Sequence, residues 1–377
     1  MLRDKVAPLI QSELSLMHAL LFSTTRSVLQ RRQFSNYLKI SRQVREALIN
    51  GEGVVALEST VITHGLPYPH NLTTARELEE QVKQSGSQPA TIAILNNEIH
   101  VGLDDEKLET IASSRNSVKV STRDIAKTLA QNLIGGTTVA STMRIANAAG
   151  IQIFATGGIG GVHRGADQTF DISADLQELS RTPVCVVCSG VKSILDIPKT
   201  VEYLETHSVN CIVLGEENIF PSFFTRHSSS KGQFNCTDLK EVIKIIQISS
   251  ELGLPSGTVL ACPIPEDYAA DGNDIQEAIN KAIQESIEKK IASQQVTPFL
   301  LARINELTKG ASMKTNIALL KNNAKIAGNL AKLLAQTPRR IENFKQSSII
   351  RKAPKVVTVG ATIVDWEAIT HETIKVS

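Results

Sequence analysis

The chain has 377 residues, 42% of them hydrophobic and 21% charged, a composition that can bury a core and excludes a disordered tail. Lys and Arg total 40 against 38 Asp and Glu, so the formal charge of +2 gives no chain-wide basic field and disfavours nucleic acid as a partner. Aromatic residues are 4%, too few for stacking platforms, and no apolar run reaches the roughly 18 residues of a membrane span, which leaves small molecules as the expected ligands and no membrane partner.

Between Glu13 and Glu46 there is no acidic residue, while Arg26, Arg31, Arg32, Lys39, Arg42 and Arg45 alternate with serines and leucines. That bias is typical of an amphipathic organelle-targeting segment, and Arg32-Gln33-Phe34-Ser35 resembles a processing site. Residues 1–42 are therefore read as a mitochondrial presequence, with a cytoplasmic location as the alternative.

From 43 to 335 short apolar runs alternate with helical patterns. Strands are expected at 54–57, 91–95, 99–101, 118–120, 151–155, 184–187, 211–214 and 259–262. Helices are expected at 74–84, 105–112, 122–131, 139–149, 199–207, 239–250, 275–292 and 312–334. Near-continuous apolar strands separated by helices predict a sheet covered on both faces, hence a three-layer α/β/α sandwich. Asn96-Asn97 between two apolar runs signals a hairpin, so the sheet is expected to be mixed and mostly parallel.

In such folds ligands sit beyond the carboxyl ends of the strands, and the unusual residues of this sequence fall there. Glu58 follows the first expected strand. A carboxyl beside apolar strands has its charged form disfavoured and reads as a general acid or base, against a solvated surface glutamate. The stretch Thr156 to Gly165 is rich in glycine but fits neither the dinucleotide fingerprint nor the P-loop, leaving a backbone able to approach a ligand closely. Gly135-Gly136-Thr137-Thr138 opens the helix near Val139, where free amides suit an anion; an ordinary capped helix is the alternative.

Cys185 and Cys188 form C-x-x-C inside an apolar run. Residues three apart on a strand face opposite ways, so two buried core cysteines are expected rather than a metal or redox pair. With five cysteines in all, a disulfide framework is not expected. Lys192 follows this strand and a Ser-Gly turn, where its amine reads either as an imine-forming nucleophile or as a snorkelling surface lysine. Asp171 and Asp175 flank Ser173, and one or two carboxylates completed by water suit Mg²⁺ or Mn²⁺ rather than tetrahedral zinc. His100 and His163 lack zincin spacing.

Residues 336–355 are polar and basic with Pro338 and Pro354, and read as a linker. Residues 356–377, opening on Val356-Val357-Thr358-Val359-Gly360, resemble the first strand of a ribokinase-like sugar kinase, too short a stub for kinase activity.

Taken in order, Glu58 to Asn71, Lys119 to Asp124, Gly135 to Val139, Thr156 to Gly165, Thr169 to Leu176 and Gly190 to Asp196 resemble the pseudouridine-5′-phosphate glycosidase family over about residues 43–335. The resemblance implies a Mn²⁺-dependent C-glycosidase, a homo-oligomer and specifically a trimer, that reversibly converts pseudouridine 5′-phosphate to uracil and ribose 5-phosphate. It implies Lys192 as nucleophile, Glu58 as proton donor and Asp171 as the metal position. Lys119, Val139, Ser173, Ala174 and Asp175 match substrate-binding positions, with His163 and Asn316 beside the ligand. A non-catalytic sugar-phosphate or pyrimidine sensor, or a Schiff-base lyase on another sugar phosphate, are the competing readings.

Overall fold

The structure, a computed structural model, describes residues 34, 36–269, 272–289, 291 and 296–337. The expected presequence up to residue 33, the expected linker beyond Thr337 and the kinase-like stub lie outside the described residues.

The first strand is β1 (Leu38–Ile40), followed by α1 (Arg42–Ile49), whose N-cap Ser41 accepts from the Val44 amide. Next come β2 (Val54–Leu57), one turn of π-helix (Val61–Gly65), α2 (His70–Gln84), β3 (Gln88–Leu95), β4 (Glu98–Val101) and α3 (Asp105–Ser113). Then follow β5 (Val118–Val120), a 3-10 turn (Thr122–Asp124), α4 (Ile125–Ala130), β6 (Gly135–Thr137), α5 (Val139–Ala149) and β7 (Ile153–Ala155). The short helices α6 (Ala166–Thr169) and α7 (Ala174–Leu179) precede β8 (Cys185–Cys188), α8 (Ile197–Thr206), β9 (Asn210–Leu214), β10 (Phe234–Cys236), α9 (Leu239–Glu251) and β11 (Thr258–Ala261). The described domain ends with α10 (Gly272–Glu288), α11 (Val296–Leu307) and α12 (Ala311–Gln336).

The strands form one sheet in the order β1-β4-β3-β2-β7-β8-β11-β9-β10, with β6 on β3 and β5 on β6. Only β3 pairs antiparallel, with β4 and with β6. Asn96 and Asn97 join β3 to β4 with φ of 53° and 60°, the left-handed pair that a two-residue hairpin requires and that asparagine tolerates. Every residue of β2, β8 and β11 is buried, which is why these strands read as apolar runs rather than as alternating ones. Helices on both sides of the sheet complete the expected three-layer sandwich.

The longest helix, α12, packs along α2 and across β2, β7 and β8. Its buried stripe repeats every three to four residues through Leu319, Leu320, Asn323, Ala324, Ala327, Gly328 and Ala331. At Gly328 a Cβ would stand 2.6 Å from the Ser85 Cβ, so the approach of α12 to α2 needs a glycine there.

Three strands were not expected. The β1 strand pairs only with β4 and lies within the basic segment read as a presequence, with Lys39 ion-paired to Glu98 at 3.3 Å. The fold therefore takes in residues upstream of the boundary expected at 43. The β6 strand is Gly-Gly-Thr, whose two glycines are poor strand formers, and it is held by partners on both sides. Likewise β10 is a three-residue edge. Among the described residues no helix is long and apolar enough to cross a membrane.

Candidate active site

The sheet order makes β2, β7 and β8 adjacent and parallel, with Leu57 beside Ala155 and Ala155 beside Val187. The chain consequently leaves all three strands at one edge, and Glu58, Thr156 and the Ser189–Lys192 turn emerge side by side at the floor of a cavity of about 760 Å³.

Glu58 keeps a partial opening to the cavity, yet its carboxyl group lies among protein atoms. Burial raises its pKa above the ordinary carboxylate value, opposed by Lys192, by the Thr156 hydroxyl that donates to Oε1 and by Lys119, while Asp175 raises it further. The net shift is upward, toward the protonated form that a proton donor uses.

Lys192 is placed by a second layer of pairing beyond the strands. Val191 bridges Ile159 in parallel and the Lys192 amide donates to the Ile159 carbonyl at 3.2 Å, so the lysine turn is tied to the glycine-rich loop. The turn depends on Gly190, whose φ is +79° and whose Cβ would stand 2.4 Å from the Pro221 carbonyl oxygen. Lys119 enters from β5, and burial followed by repulsion from Lys192 lowers its pKa.

Asp175 is buried and makes two contacts that organise the cavity wall. Oδ1 accepts from the Ala140 amide at 3.0 Å and Oδ2 from the Gly160 amide at 2.9 Å, which pins the start of α5 to the glycine loop. Val139, at the first position of α5, is buried against the same cavity. Ser173 caps α7 by accepting from the Asp175 amide, and Ala174 follows it along the wall.

Across the cavity, His163 Nδ1 stands 3.8 Å from Asp171 Oδ2, and the His163 amide donates to the Asp171 carbonyl. Burial lowers the His163 pKa, opposed by Asp171. Asn316 reaches the cavity from α12. Among the described residues no three His, Cys, Asp or Glu side chains converge as a chelating group. The donor chemistry on offer for a metal is thus the single Asp171 carboxylate with a neighbouring imidazole, which fits a hard, largely hydrated divalent ion and not a zinc cage.

All ten residues singled out from the sequence line this one cavity. Of two other expectations, the glycine pair resolves differently and the cysteine pair is found as expected. Gly135 and Gly136 do not form an open anion cradle: they lie in β6, where a Cβ on Gly136 would meet Thr63 Oγ1 at 2.1 Å and one on Gly135 would meet Val120 at 2.6 Å. Cys185 and Cys188 lie buried on β8 as free thiols, and burial pushes the Cys188 thiol up to about 12.

Sequence reasoning passed over Thr156 as a partner of Glu58 and over Asn323. It also missed the apolar wall of Phe223, Leu320, Val296 and Leu301. A polar Asn323 on the apolar stripe of α12 was the one signal available.

The cavity of this α/β sandwich brings the Glu58 carboxyl group, at the end of β2, near Lys192, in the turn after β8, and Lys119, on β5, an arrangement suited to an enzyme acting on a small polar substrate. Residues 43–333 match the pattern of the indigoidine synthase A like proteins, and the chain belongs to that family. It is 50% identical over 297 residues to the pseudouridine-5′-phosphate glycosidase of Caldanaerobacter subterraneus subsp. tengcongensis, covering 79% of this chain and 96% of that protein. It is 51% identical over 293 residues to pseudouridine-5′-phosphate glycosidase 2 of Rhizobium johnstonii, covering 78% and 94%. Among solved structures, the prealnumycin C-glycosynthase AlnA in complex with ribulose 5-phosphate superposes with a TM-score of 0.74 at 35% identity, covering 80% of this chain and 97% of that one. The family resemblance carried by the motifs is therefore borne out.

Proposed function

We propose that this protein is a pseudouridine-5′-phosphate glycosidase that cleaves the carbon–carbon glycosidic bond to give uracil and ribose 5-phosphate, reversibly. The observation that carries the reading is the meeting of Glu58, whose pKa burial raises, with Lys192 at the ends of β2 and β8, which flank β7, in a chain about half identical to proteins of that name.

A C-glycoside offers no leaving oxygen or nitrogen to protonate, so the paired-carboxylate scheme of ordinary glycosidases does not transfer. The free amine Nζ of Lys192 attacks C1′ and the C1′–O4′ bond breaks, a proton passing from the nitrogen to O4′ as the ribose opens. The nitrogen lone pair then forms C1′=N while the C1′–C5 bond breaks and uracil C5 takes its proton from Glu58. Water adds to C1′ and gives a proton back to Glu58, the C–N bond breaks, and ribose 5-phosphate leaves with Lys192 and Glu58 restored. Lys119 supplies positive charge toward the phosphorylated end, and the Phe223–Leu320 wall supplies an apolar surface for the base.

A divalent ion, Mn²⁺ in the first instance, belongs to this reading: held by Asp171 and water, it would supply charge neutralisation beside the sugar phosphate. Chelation followed by add-back of Mn²⁺ or Mg²⁺ tests it. Assembly as a trimer and import into mitochondria are further parts of the proposal, tested by light scattering and by organelle import of the full chain with Arg26, Arg31 and Arg32 replaced.

The deciding assay is uracil release from pseudouridine 5′-phosphate, with borohydride trapping in ribose 5-phosphate. A covalent adduct on Lys192 and loss of turnover in Lys192→Ala are expected. Full activity in that variant, or an adduct elsewhere, refutes the mechanism.

A further inference from the structure

We propose that Asn323 is a positioning residue for this reaction: from α12 it clamps the end of β7 to the end of β8, and so sets the Glu58–Thr156 pair against the Lys192 turn. The inference rests on the function proposed above and assigns a role to a residue that does not line the cavity.

Asn323 is fully buried. Its Nδ2 donates to the Thr156 carbonyl at 2.8 Å and lies 3.3 Å from the Gly157 carbonyl and 3.1 Å from Ser189 Oγ. Ser189 Oγ in turn lies 3.3 Å from Asn323 Oδ1. Two carbonyl acceptors fix which way the amide points, because only the NH₂ side can face them. One side chain thus reads both strand ends at once.

The location explains why a polar group is there. Beyond Ala155 the β7–β8 ladder runs on through the Thr156 amide to the Val187 carbonyl at 3.0 Å, and the Thr156 carbonyl, which receives no backbone donor among the described residues, takes its donor from Asn323. Leu319, one turn before, and Ala327, one turn after, are apolar and buried, so a leucine at 323 would suit the helix but leave Thr156 and Gly157 without this donor. Thr156 donates to Glu58, and Ser189 begins the turn that ends in Lys192; the Ser189 amide donates to the Gly157 carbonyl at 2.8 Å and the Phe223 amide to the Ser189 carbonyl at 3.0 Å. Acid, nucleophile turn and apolar wall therefore share one anchor.

A control exists on the same helix. Ser87 Oγ donates to the Gly328 carbonyl at 2.7 Å, joining α12 to the sheet just ahead of β3, and touches nothing in the cavity. The test measures kcat and KM for uracil release, thermal midpoint, and the titration of Glu58 by carbon-13 NMR of glutamate-labelled protein. It compares wild type, Asn323→Ala, Ser189→Ala and Ser87→Ala. Asn323→Ala is expected to lower kcat by about 10- to 100-fold with KM changed by less than about threefold, as for a misplacement near 1 Å. Its Glu58 titration moves to higher pH, because the Thr156 hydrogen bond, which together with Lys192 and Lys119 holds the carboxyl down against burial and Asp175, is loosened. Ser189→Ala moves both readouts in the same direction by less, and Ser87→Ala lowers the midpoint alone.

Wild-type kcat and an unmoved Glu58 titration in Asn323→Ala, with only the midpoint lowered, overturn the proposal. Where Asn323→Ala fails to fold, the same two unmoved readouts in Ser189→Ala overturn it. A wild type that releases no uracil refutes the functional reading instead, and the Glu58 titration still decides the role of Asn323.

Discussion

Asp175 shows how much of the site is held from beneath. Its two carboxylate oxygens each accept one backbone amide, Ala140 at 3.0 Å and Gly160 at 2.9 Å, in a side chain only 6% exposed. Hydrogen bonds to a charged acceptor contribute about 1.5–3 kcal/mol each. Asp175→Ala strands both amides and is expected to lower stability by about 3–5 kcal/mol, a large share of the about 5–15 kcal/mol that folded proteins possess. Asp175→Asn keeps one acceptor and turns an NH₂ toward the other amide, so a loss of about 2 kcal/mol is expected and the protein stays folded. Urea unfolding at pH 7, followed by circular dichroism, reads both losses. In the Asn variant the glycine loop is released from α5, and uracil release is expected to fall by about 100-fold. A second signature separates geometry from charge: Asp175 raises the Glu58 pKa, so its removal moves the alkaline limb of kcat to lower pH. An Asn variant with stability within about 0.5 kcal/mol of wild type and an unmoved limb would falsify the account of Asp175.

Three further outcomes follow from the same geometry. Glu58→Gln is expected to lower kcat by about 10²- to 10⁴-fold. Because folding raises the Glu58 pKa, its contribution to stability is full below the unfolded carboxylate value and is lost as pH rises through the folded one, so the Gln variant gains on wild type in urea midpoint as pH rises above the unfolded carboxylate value. His100 is buried with Nε2 unpartnered, and burial, then Lys107, hold its pKa down, opposed chiefly by Glu98. Its folded value lies below its unfolded one, so stability is present above about pH 6.5 and is lost as pH falls; His100→Leu should flatten that acid loss, and an unchanged slope refutes the assignment. At Gly158 a Cβ would stand 2.6 Å from the Phe223 ring and 3.1 Å from the Gly190 carbonyl, so Gly158→Ala is expected to lower stability by about 1–3 kcal/mol and to lower kcat/KM; retention of both measures means the ring has room to move.

The elements legible in the sequence are those whose own residues decide them. β2, β5 and α5 were expected at the bounds observed, since apolar runs and a helical stripe ending at Gly150, whose φ is +86°, are local signals. β6 was not legible because two glycines and a threonine become a strand only through β3 and β5, and β1 was masked by a basic bias that suggested targeting. Glu58 and Lys192 were legible because strand-end loops concentrate unusual residue types in short motifs, whereas Lys119 on β5, Val139 on α5 and Asn316 on α12 came only through the family resemblance. What those residues do to one another was not: Asp175 was expected on the substrate and is found with its side chain on two backbone amides.

Glu58, Thr156 and Lys192 are far apart in sequence, and only the β2-β7-β8 order brings them together. A parallel order of this kind is completed by long crossovers, so the site forms only when the central sheet is complete. The last described helix then closes it, since α12 supplies Asn316 to the cavity and Asn323 to the strand ends while packing across the same three strands. A chain ending before Ala311 would retain the acid and the lysine yet lack the clamp between them. In the proposed reaction C5 takes its proton from Glu58 while the nitrogen already bonded to C1′ forms C1′=N, and a helix that contacts both strand ends would hold the acid and the lysine turn in register for that step.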